Sequence, residues 1–268
     1  MRGNRTAFIG TGFMARAMIG GIVGSGLRRP DEIVTVNPVD PEGAAAVTAE
    51  YGVIRGEPSD IASADAVIFA IKPQEFDNAV RMYGEYLTPD KLYLSIMAGI
   101  GTDRIENAIP GAAVVRLMPN LALSVAKSAV AYAPGRNADE DDCLLTEELF
   151  SVMGKVCRVS EDMISVVTAV SGSGPAYFCL LAEEMAKAAE EAGMDHDIAV
   201  SLAEQTLIGT AALIEKTGIS AAELRRRVTS KKGTTEAALI AMTGSGFGDA
   251  VKKGVEAAKK RSDELSRS

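Results

Sequence analysis

Short apolar runs alternate with longer segments of helical periodicity between about residues 5 and 159. Several runs are nearly continuous in Val, Ile, Leu and Ala, which is typical of strands in a parallel sheet with helices on both faces. This spacing predicts an α/β fold, a doubly wound sheet built from right-handed βαβ units. The predicted strands are residues 5–9, 32–37, 66–71, 92–96, 113–117, 129–133 and 154–159, and the predicted helices are residues 14–25, 41–51, 74–86, 102–108 and 140–153.

After residue 159 the apolar positions follow helical spacing alone, so the remainder is predicted to be all-α. We place the boundary near residues 159–162 and expect an α/β domain at 1–160 and a helical domain at 161–268. Pro175 suits the first turn of a helix, and Gly193 suits its C-terminal cap. The predicted helices begin at residue 163, break at 171–174, and continue at 176–192, 195–216, from 220, 235–242 and 249–264.

The composition excludes several classes of protein. With 47% hydrophobic residues the chain can bury a sizeable core, and a formal net charge of −8 argues against nucleic-acid and anionic-membrane partners. Three cysteines without C-x-x-C spacing and a single histidine, His196, argue against a disulfide framework and a metal site. No apolar run approaches the about 20 residues of a membrane span, and the first is too short for a signal peptide. We therefore expect a cytoplasmic protein.

The sharpest motif is G-x-G-x-x-A at residues 10–15, between the first predicted strand and helix. Gly10 permits a tight turn, Gly12 permits close approach of a pyrophosphate, and Ala15 permits close packing of helix on strand. The N-terminus of the helix adds free N–H donors. The alternative is a tight turn in an unrelated α/β protein. In the dinucleotide interpretation, the cofactor contacts are Gly10, Thr11, Gly12, Phe13 and Met14.

The second predicted strand ends at Asn37 instead of the Asp or Glu that would bind the ribose 2′-hydroxyl of NAD. An amide can donate a hydrogen bond to a 2′-phosphate, so NADPH is favoured and NADH stays open. Asp40 is an alternative ribose ligand. The sequence does not place Arg28, Arg29 or Arg55 relative to this site.

Other candidate cofactor contacts follow the later strands, because ligands of open α/β sheets bind at the carboxyl ends of the strands. Lys72 at such an end also has a simpler interpretation as a solvated loop lysine. The candidates are Ala70, Lys72, Pro73, Ala98, Gly99 and Asn120.

A second candidate site lies in the helical half, at residues 228–236. Ser230, Gly233 and Thr234 lead directly into a predicted helix, whose N–H groups and neighbouring hydroxyls can form an anion cradle. Lys231 and Lys232 add positive charge. The alternative is a Ser/Thr-capped loop with exposed lysines. Nearby, the stretch at 202–214 is apolar on more than one face, and we expect a homodimer to bury it.

Taken together, these motifs make the chain similar to pyrroline-5-carboxylate reductase over nearly its whole length. The likeness implies an N-terminal Rossmann NAD(P)-binding domain at 1–160 and an all-α domain at 161–268 that binds substrate and dimerises, often within larger rings such as a decamer. It implies reduction of a cyclic imino acid, 1-pyrroline-5-carboxylate, to L-proline with NADPH. It further implies that Ser230, Gly233 and Thr234 hold the substrate carboxylate, and that Thr235 is the catalytic residue facing the ring nitrogen. The motifs are residues 9–14, 70–74, 95–100, 116–120, 169–177, 228–230 and 233–239.

The sequence departs from the family pattern at three places. Lys231 and Lys232 stand where the family usually has Pro and Gly, Pro38 stands where an Arg often follows Asn37, and residues 121–123 read Leu-Ala-Leu instead of Thr-Pro-Ala. A side chain at position 232 would narrow the cradle if that residue needs positive φ. A paralogous reductase of another cyclic imino acid and a catalytically silent NADP-binding regulator therefore remain alternatives.

The scarcity of acid–base residues favours imine reduction over carbonyl reduction. Reduction of a ketone needs an acid to protonate the alkoxide, and no Lys occurs between Gly174 and Lys187, where 3-hydroxyacid dehydrogenases would require one. His196 lies between Asp195 and Asp197 at a predicted helix start and is interpreted as a surface residue. A protonated imine is already electrophilic, so positioning and a hydroxyl near the nitrogen can suffice.

Overall fold

The computed structural model describes residues 4–266. The outer ends of the two predicted domains, residues 1–3 and 267–268, lie outside this range. Within residues 4–266, eight strands form one sheet in the order β3-β2-β1-β4-β5-β6-β7-β8. The strands are β1 Thr6–Ile9, β2 Ile33–Val36, β3 Ile54–Arg55, β4 Ala66–Phe69, β5 Leu92–Ser95, β6 Ala113–Met118, β7 Ser128–Pro134 and β8 Gly154–Arg158.

Helices connect and follow these strands, and they agree with the predicted segments to within a few residues at most ends. The predicted helix at 74–86 is divided into a 3₁₀ turn at Pro73–Glu75, helix α3 and a second 3₁₀ turn at Gly84–Tyr86. The helices are α1 Phe13–Gly24, α2 Pro41–Tyr51, α3 Phe76–Tyr83, α4 Thr102–Ala108, α5 Glu140–Ser151, α6 Ile164–Val167, α7 Gly174–Glu191, α8 His196–Thr217, α9 Ala221–Arg227, α10 Thr234–Gly244 and α11 Phe247–Leu265.

The sheet buries both faces, as its apolar strands predict. Phe8 and Ile68 belong to one core cluster, whereas their strand neighbours Ile9 and Val67 belong to the other. Alternation along a strand places successive side chains on opposite faces, so each short strand supplies both cores. The expected doubly wound architecture is confirmed.

The sheet departs from parallel pairing at one pair of strands. β7 runs antiparallel to β6, with Leu117 opposite Tyr132, and β8 then runs parallel to β7. The connection from β6 to β7 contains a short 3₁₀ turn, Leu121–Val125, and no α-helix. A connection without a crossover helix favours antiparallel pairing, since parallel neighbours need a dozen or more connecting residues.

The chain packs as two compact units. One contains the sheet, extends to Gly172 and includes the segment from Ala258 onwards, and the other is Ser173–Ala257. In the described part of the second unit the buried apolar cluster is small, with Ala182 and Ala186 of α7 packed on Ala199 and Ala203 of α8. Many large apolar side chains of this unit are exposed, among them Phe178, Leu202, Ile208, Leu213 and Ile240.

The predicted helix break at residues 171–174 is present as an interruption at one residue. A π-helical turn spans Thr168–Gly172, Ser173 is the N-cap of α7, and α7 begins at Gly174. The helical stretch Glu161–Glu191 and helix α8 are long and apolar enough to span a bilayer by length and composition alone. The expectation that no segment approached this length counted unbroken apolar runs, whereas these helices tolerate a few charged residues among many Ala, Val and Leu.

Candidate active site

The glycine turn after β1 is held by close backbone contacts. Gly10 has φ +103°, in the region that side chains rarely adopt. A Cβ on Gly10 would lie 2.6 Å from the carbonyl oxygen of Ala70 and 2.9 Å from Cγ2 of Ile71. Its amide donates to the carbonyl of Val36 at 3.2 Å. Position 10 therefore requires glycine, and the turn is fixed between the ends of β2 and β4.

Gly12 has a different role at the start of α1. Its backbone is extended, with φ −68° and ψ −179°, and a Cβ built on it would meet no atom within 4 Å. The first turn of α1 contains no acidic residue, so its N–H groups and the positive end of the helix dipole favour an anion. Phe13 is 61% exposed at this helix start, and Met14 packs partly against the core. This arrangement fits the pyrophosphate of a dinucleotide.

Thr11 and Asn37 are joined at the end of β2. Nδ2 of Asn37 donates to Oγ1 of the buried Thr11 at 2.7 Å, and the second hydrogen of the amide nitrogen remains available. Asp40, the alternative ribose ligand, instead caps α2, since its Oδ1 accepts from the amide of Gly43 at 2.9 Å. Asn37 is thus the better placed of the two for a cofactor contact.

The segment after β4 lies against the glycine turn. The amide of Ala70 donates to the carbonyl of Ile9 at 2.9 Å, which brings the Ala70 carbonyl next to Gly10. Lys72 is exposed and forms no side-chain hydrogen bond or ion pair within residues 4–266. Pro73 begins the following 3₁₀ turn. Lys72 can therefore meet an anionic ligand, and its simpler interpretation as a solvated lysine also stands.

Ala98 and Gly99 form the turn after β5. Ala98 is exposed. Gly99 has φ +80°, and a Cβ on it would lie 2.7 Å from the carbonyl oxygen of Leu265 at the end of α11. The glycine at position 99 is required by this long-range backbone approach, which the local sequence does not reveal.

Asn120 makes structural hydrogen bonds that sequence reasoning missed. Its Nδ2 donates to the carbonyl of Ser171 at 3.0 Å, and its Oδ1 accepts from the amide of Ala122 at 3.1 Å. The backbone amide of Asn120 donates to Oγ of Ser128 at 3.0 Å. The side chain thus ties the turn after β6 to the π-helical segment, and a contact with the cofactor remains a prediction.

In the second unit, the loop before α10 contains the residues of the predicted anion cradle. Gly233 caps α10 with extended backbone, φ −85° and ψ 172°, and its amide donates to the carbonyl of Ser230 at 3.0 Å. A Cβ on Gly233 would collide with Oγ of Ser230. Thr234 and Thr235 are the first residues of α10, so their N–H groups have no carbonyl partner within the helix. The cradle therefore depends on a residue without a side chain at position 233.

Lys232 lies in the left-handed region with φ +60°. Its amide donates to Oε2 of Glu236 at 2.6 Å, which holds the loop against the first turn of α10. Lys231 and Lys232 are both exposed. Residue 232 therefore has the positive φ that was the condition for a narrowed cradle. It is a lysine next to Gly233 in the loop.

His196 does not belong to this loop. It is the first residue of α8, where Asp195 is the N-cap, and its Nδ1 lies 2.9 Å from Oε1 of Glu190. The hydrogen bond and charge of Glu190 raise the pKa of His196. Both side chains are on the surface, as the sequence predicts. Within the described residues, no group of three or more His, Cys, Asp or Glu side chains could hold a metal ion.

Comparison with known proteins identifies the family. Residues 161–265 match the family model described as pyrroline-5-carboxylate reductase dimerisation, and residues 5–99 match that of coenzyme F420-dependent NADP oxidoreductases. Pyrroline-5-carboxylate reductase 1 of Bacillus spizizenii is 38% identical over 98% of this chain and 89% of its own length. The chain belongs to the pyrroline-5-carboxylate reductase family.

Solved structures of pyrroline-5-carboxylate reductases share the fold. The enzyme from Coxiella burnetii has a TM-score of 0.93 and 32% identity, with 99% of each chain covered. The Plasmodium falciparum enzyme, solved with NADP bound, has a TM-score of 0.82 and 23% identity, with 99% of each chain covered. Helices α6 to α11 lie within the residues that match the pyrroline-5-carboxylate reductase dimerisation model, and the resemblance inferred from the motifs is confirmed.

Proposed function

We propose that this chain reduces 1-pyrroline-5-carboxylate to L-proline with NADPH, as a step of proline biosynthesis. The observation that carries the proposal is the cradle before α10, where Gly233 leaves room for Ser230 and the helix N-terminus is open to a carboxylate. Family membership over nearly the full chain supports the same activity.

In this proposal Ser230, Gly233 and Thr234 hold the substrate carboxylate. Backbone N–H groups at a helix start and a hydroxyl are strong donors to an anion. Thr235 is half-buried, one residue further into α10, and its hydroxyl is the proposed partner of the ring nitrogen. The chain would thus orient the C=N carbon by fixing the carboxylate on one side and the nitrogen on the other.

Residues of the first unit support the assignment of a dinucleotide cofactor. NADPH, when bound, would supply the hydride. The described residues fit it, since the open space at Gly12 and the start of α1 suit a pyrophosphate. We assign cofactor contacts to Gly10, Thr11, Gly12, Phe13, Met14, Asn37, Ala70, Lys72, Pro73, Ala98, Gly99 and Asn120, with NADH as a weaker donor.

The proposed reaction requires little acid–base catalysis by the protein. Addition of hydride to the carbon of a protonated imine moves the C=N π electrons to nitrogen, and the product amine is basic. Thr235 needs only to hold the nitrogen by hydrogen bonding. The surface position of His196 accords with a reaction that does not use it.

One observation favours a second candidate, a reductase of another cyclic imino acid. Lys232 keeps the positive φ that the family usually gives to glycine, so a long cationic side chain borders the carboxylate cradle. Such a side chain would reshape the substrate pocket and could favour a cyclic imino acid other than 1-pyrroline-5-carboxylate.

Steady-state NADPH oxidation separates the candidates. We expect the highest kcat/KM with 1-pyrroline-5-carboxylate, less with the six-membered imino acid, and none with a 2-oxo acid. Thr235→Val should lower kcat by at least tenfold with unchanged NADPH affinity, and Thr235→Ser should restore most of it. A higher kcat/KM for the six-membered ring would support the paralogue, and tight NADPH binding without turnover of either imine would leave the silent regulator.

The remaining assignments belong to the same proposal. We infer a Rossmann cofactor domain at residues 1–160, a substrate and dimerisation domain at 161–268, a homodimer that assembles into a larger ring such as a decamer, and a cytoplasmic location. The exposed apolar faces of α7 and α8 support subunit contacts, because the dimerisation family model covers both helices.

A further inference from the structure

A small cavity lies next to Asn37, at the end of β2 and the start of α2. Its volume is about 150 Å³, and its lining includes Asn37, Pro41, Arg55 and Glu57. A water molecule occupies about 30 Å³ of the liquid, so the cavity can hold a group of a few heavy atoms with some water. A phosphate group has this size.

Arg55 enters this cavity from β3. Residue 55 pairs with Thr35 of β2, and Asn37 lies two positions beyond Thr35 along the chain, so regular alternation would place all three on one face of the sheet. Arg55 is exposed and forms no hydrogen bond or ion pair with another side chain of residues 4–266. Its guanidinium group therefore has all five donors available for a ligand.

We propose that Arg55 binds the 2′-phosphate of NADP(H) and sets the preference for NADP(H) over NAD(H). The inference deepens the cofactor assignment of the proposed function. In a doubly wound dinucleotide site, the end of the second strand meets the adenosine ribose, and a nearby arginine accommodates the 2′-phosphate. Here Asn37 occupies that strand end and carries no repelling carboxylate. Arg55 supplies the fork of donors that suits a phosphate, and it is the basic residue among those that line the cavity.

Two carboxylates oppose this attraction. Glu57 lines the same cavity, and Asp40 caps α2 beside it. A 2′-phosphate carries close to two negative charges near neutral pH, so without Arg55 the local charge would repel it. Arg55 should therefore determine whether NADP(H) is preferred over NAD(H), and Glu57 should reduce that preference.

Calorimetric titration of the whole chain tests the assignment without catalysis. The ligands are NADP⁺, NAD⁺, adenosine 2′,5′-bisphosphate and AMP, which lacks the 2′-phosphate. The wild type should bind NADP⁺ more tightly than NAD⁺. Arg55→Gln should weaken NADP⁺ and the bisphosphate by about tenfold or more and leave NAD⁺ and AMP within about twofold. Arg81→Gln, which removes a charge from α3 away from the cavity, is the matched control and should change none of them.

A second variant gives an effect of opposite sign. Glu57→Gln should tighten binding of NADP⁺ by about two- to threefold and leave NAD⁺ unchanged, which local damage to the fold would not produce. Equal losses for NADP⁺ and NAD⁺ in Arg55→Gln, no loss in that variant, or a wild type that prefers NAD⁺ would each overturn the assignment. A wild type that prefers NADP⁺ over NAD⁺ but turns over no imine would support the role of Arg55 and contradict the proposed reaction.

Discussion

At the scale of single residues, two glycines of one motif have separable functions. Gly10 is fixed by backbone, with φ +103° and the Ala70 carbonyl oxygen 2.6 Å from the point where a methyl group would stand. Gly12 has ordinary dihedral angles and open space where a side chain would stand. The first glycine is thus required by the fold, whereas the proposed role of the second is to leave room for the cofactor.

Substitution with alanine should show this separation. Gly10→Ala should lower the free energy of unfolding by at least about 2 kcal/mol, because left-handed backbone and a backbone collision both oppose the methyl group. Gly12→Ala should cost less than about 1 kcal/mol and weaken NADP⁺ binding by about tenfold or more. Urea denaturation and calorimetric titration measure the two quantities. Equal stability losses for both variants would contradict the division of roles.

Lys232, whose backbone lies in the left-handed region, permits a second prediction at the scale of single residues. Left-handed backbone costs a non-glycine residue about 1–2 kcal/mol, and glycine costs about 0.5–1 kcal/mol in chain entropy. Lys232→Gly should therefore raise the free energy of unfolding by up to about 1 kcal/mol. Lys231→Gly, at a residue with ordinary φ, should lower it by about 0.5–1 kcal/mol.

Thermal unfolding of the two variants side by side checks this prediction. They remove the same charge from adjacent exposed positions, so the difference between their melting temperatures reports the backbone alone. A loss of stability in Lys232→Gly as large as that in Lys231→Gly would show that position 232 carries no strain. A higher kcat/KM of Lys232→Gly for 1-pyrroline-5-carboxylate would show that the lysine also narrows the cradle.

The residues predicted best from sequence were those whose role depends on local chain geometry. The turn at Gly10 and Gly12 follows from a motif of six residues at a strand–helix junction. Arg55 could not be placed, because its position depends on pairing between β2 and β3, which are far apart along the chain. Gly99 and Asn120 were assigned to the cofactor, and their contacts with Leu265 and Ser171 could not be predicted because these partners are distant in sequence.

At the scale of elements, helix α9 ends in three consecutive arginines and leads into the loop before α10. Oε2 of Glu223 accepts from Nε of Arg226 at 2.8 Å, and Oε1 accepts from Nε of Arg227 at 2.7 Å. These hydrogen bonds, that from Arg226 foremost, lower the pKa of Glu223 from 4.5 to about 2. The carboxylate is thus stabilised in its charged form by the folded helix.

The sign of the pH effect follows from this shift. Because the folded pKa is lower than the unfolded one, Glu223 contributes stability above the unfolded pKa of 4.5, which is lost as the pH falls toward 2. Glu223→Gln should lower the melting temperature at pH 6, and the difference from wild type should shrink as the pH approaches 2. Circular dichroism melts across this range measure it. Glu264→Gln, which removes one ion pair to Arg261 on α11, is a control that should not reproduce the same profile.

Helices and strands could be predicted from the sequence where the spacing of apolar residues repeats over enough positions to identify the element. The two-residue strand β3 was missed because it is short and half-exposed at the sheet edge. The reversed direction of β7 was missed because periodicity describes a strand and not its partner. The break expected at Ser171–Gly174 is confined to Ser173, the N-cap of α7, because a π-helical turn extends the helical backbone through Gly172.

At the scale of the whole molecule, the second unit has too little apolar core for its exposed apolar surface. The buried cluster between α7 and α8 consists of four alanines, whereas Leu202 is 54% exposed and Leu213 is 49% exposed on α8. These two leucines are eleven residues apart, so they lie on one face of the helix. A face of this kind in a dimerisation domain is expected to be buried by a second copy of the chain.

The assembly should therefore be concentration-dependent and sensitive to charge on this face. Sedimentation at micromolar concentration should show a dimer or larger species, and the double variant Leu202→Glu, Leu213→Glu should raise the dissociation constant by about a hundredfold or more. Leu144→Glu places the same charge on an apolar position of α5 that is 55% exposed in the first unit, and it should leave the assembly intact. If the double variant does not fold, dilution of the wild type decides the matter, because the melting temperature of an obligate dimer falls on dilution. A monomeric wild type, or a melting temperature independent of concentration, would mean that the exposed apolar face has another partner.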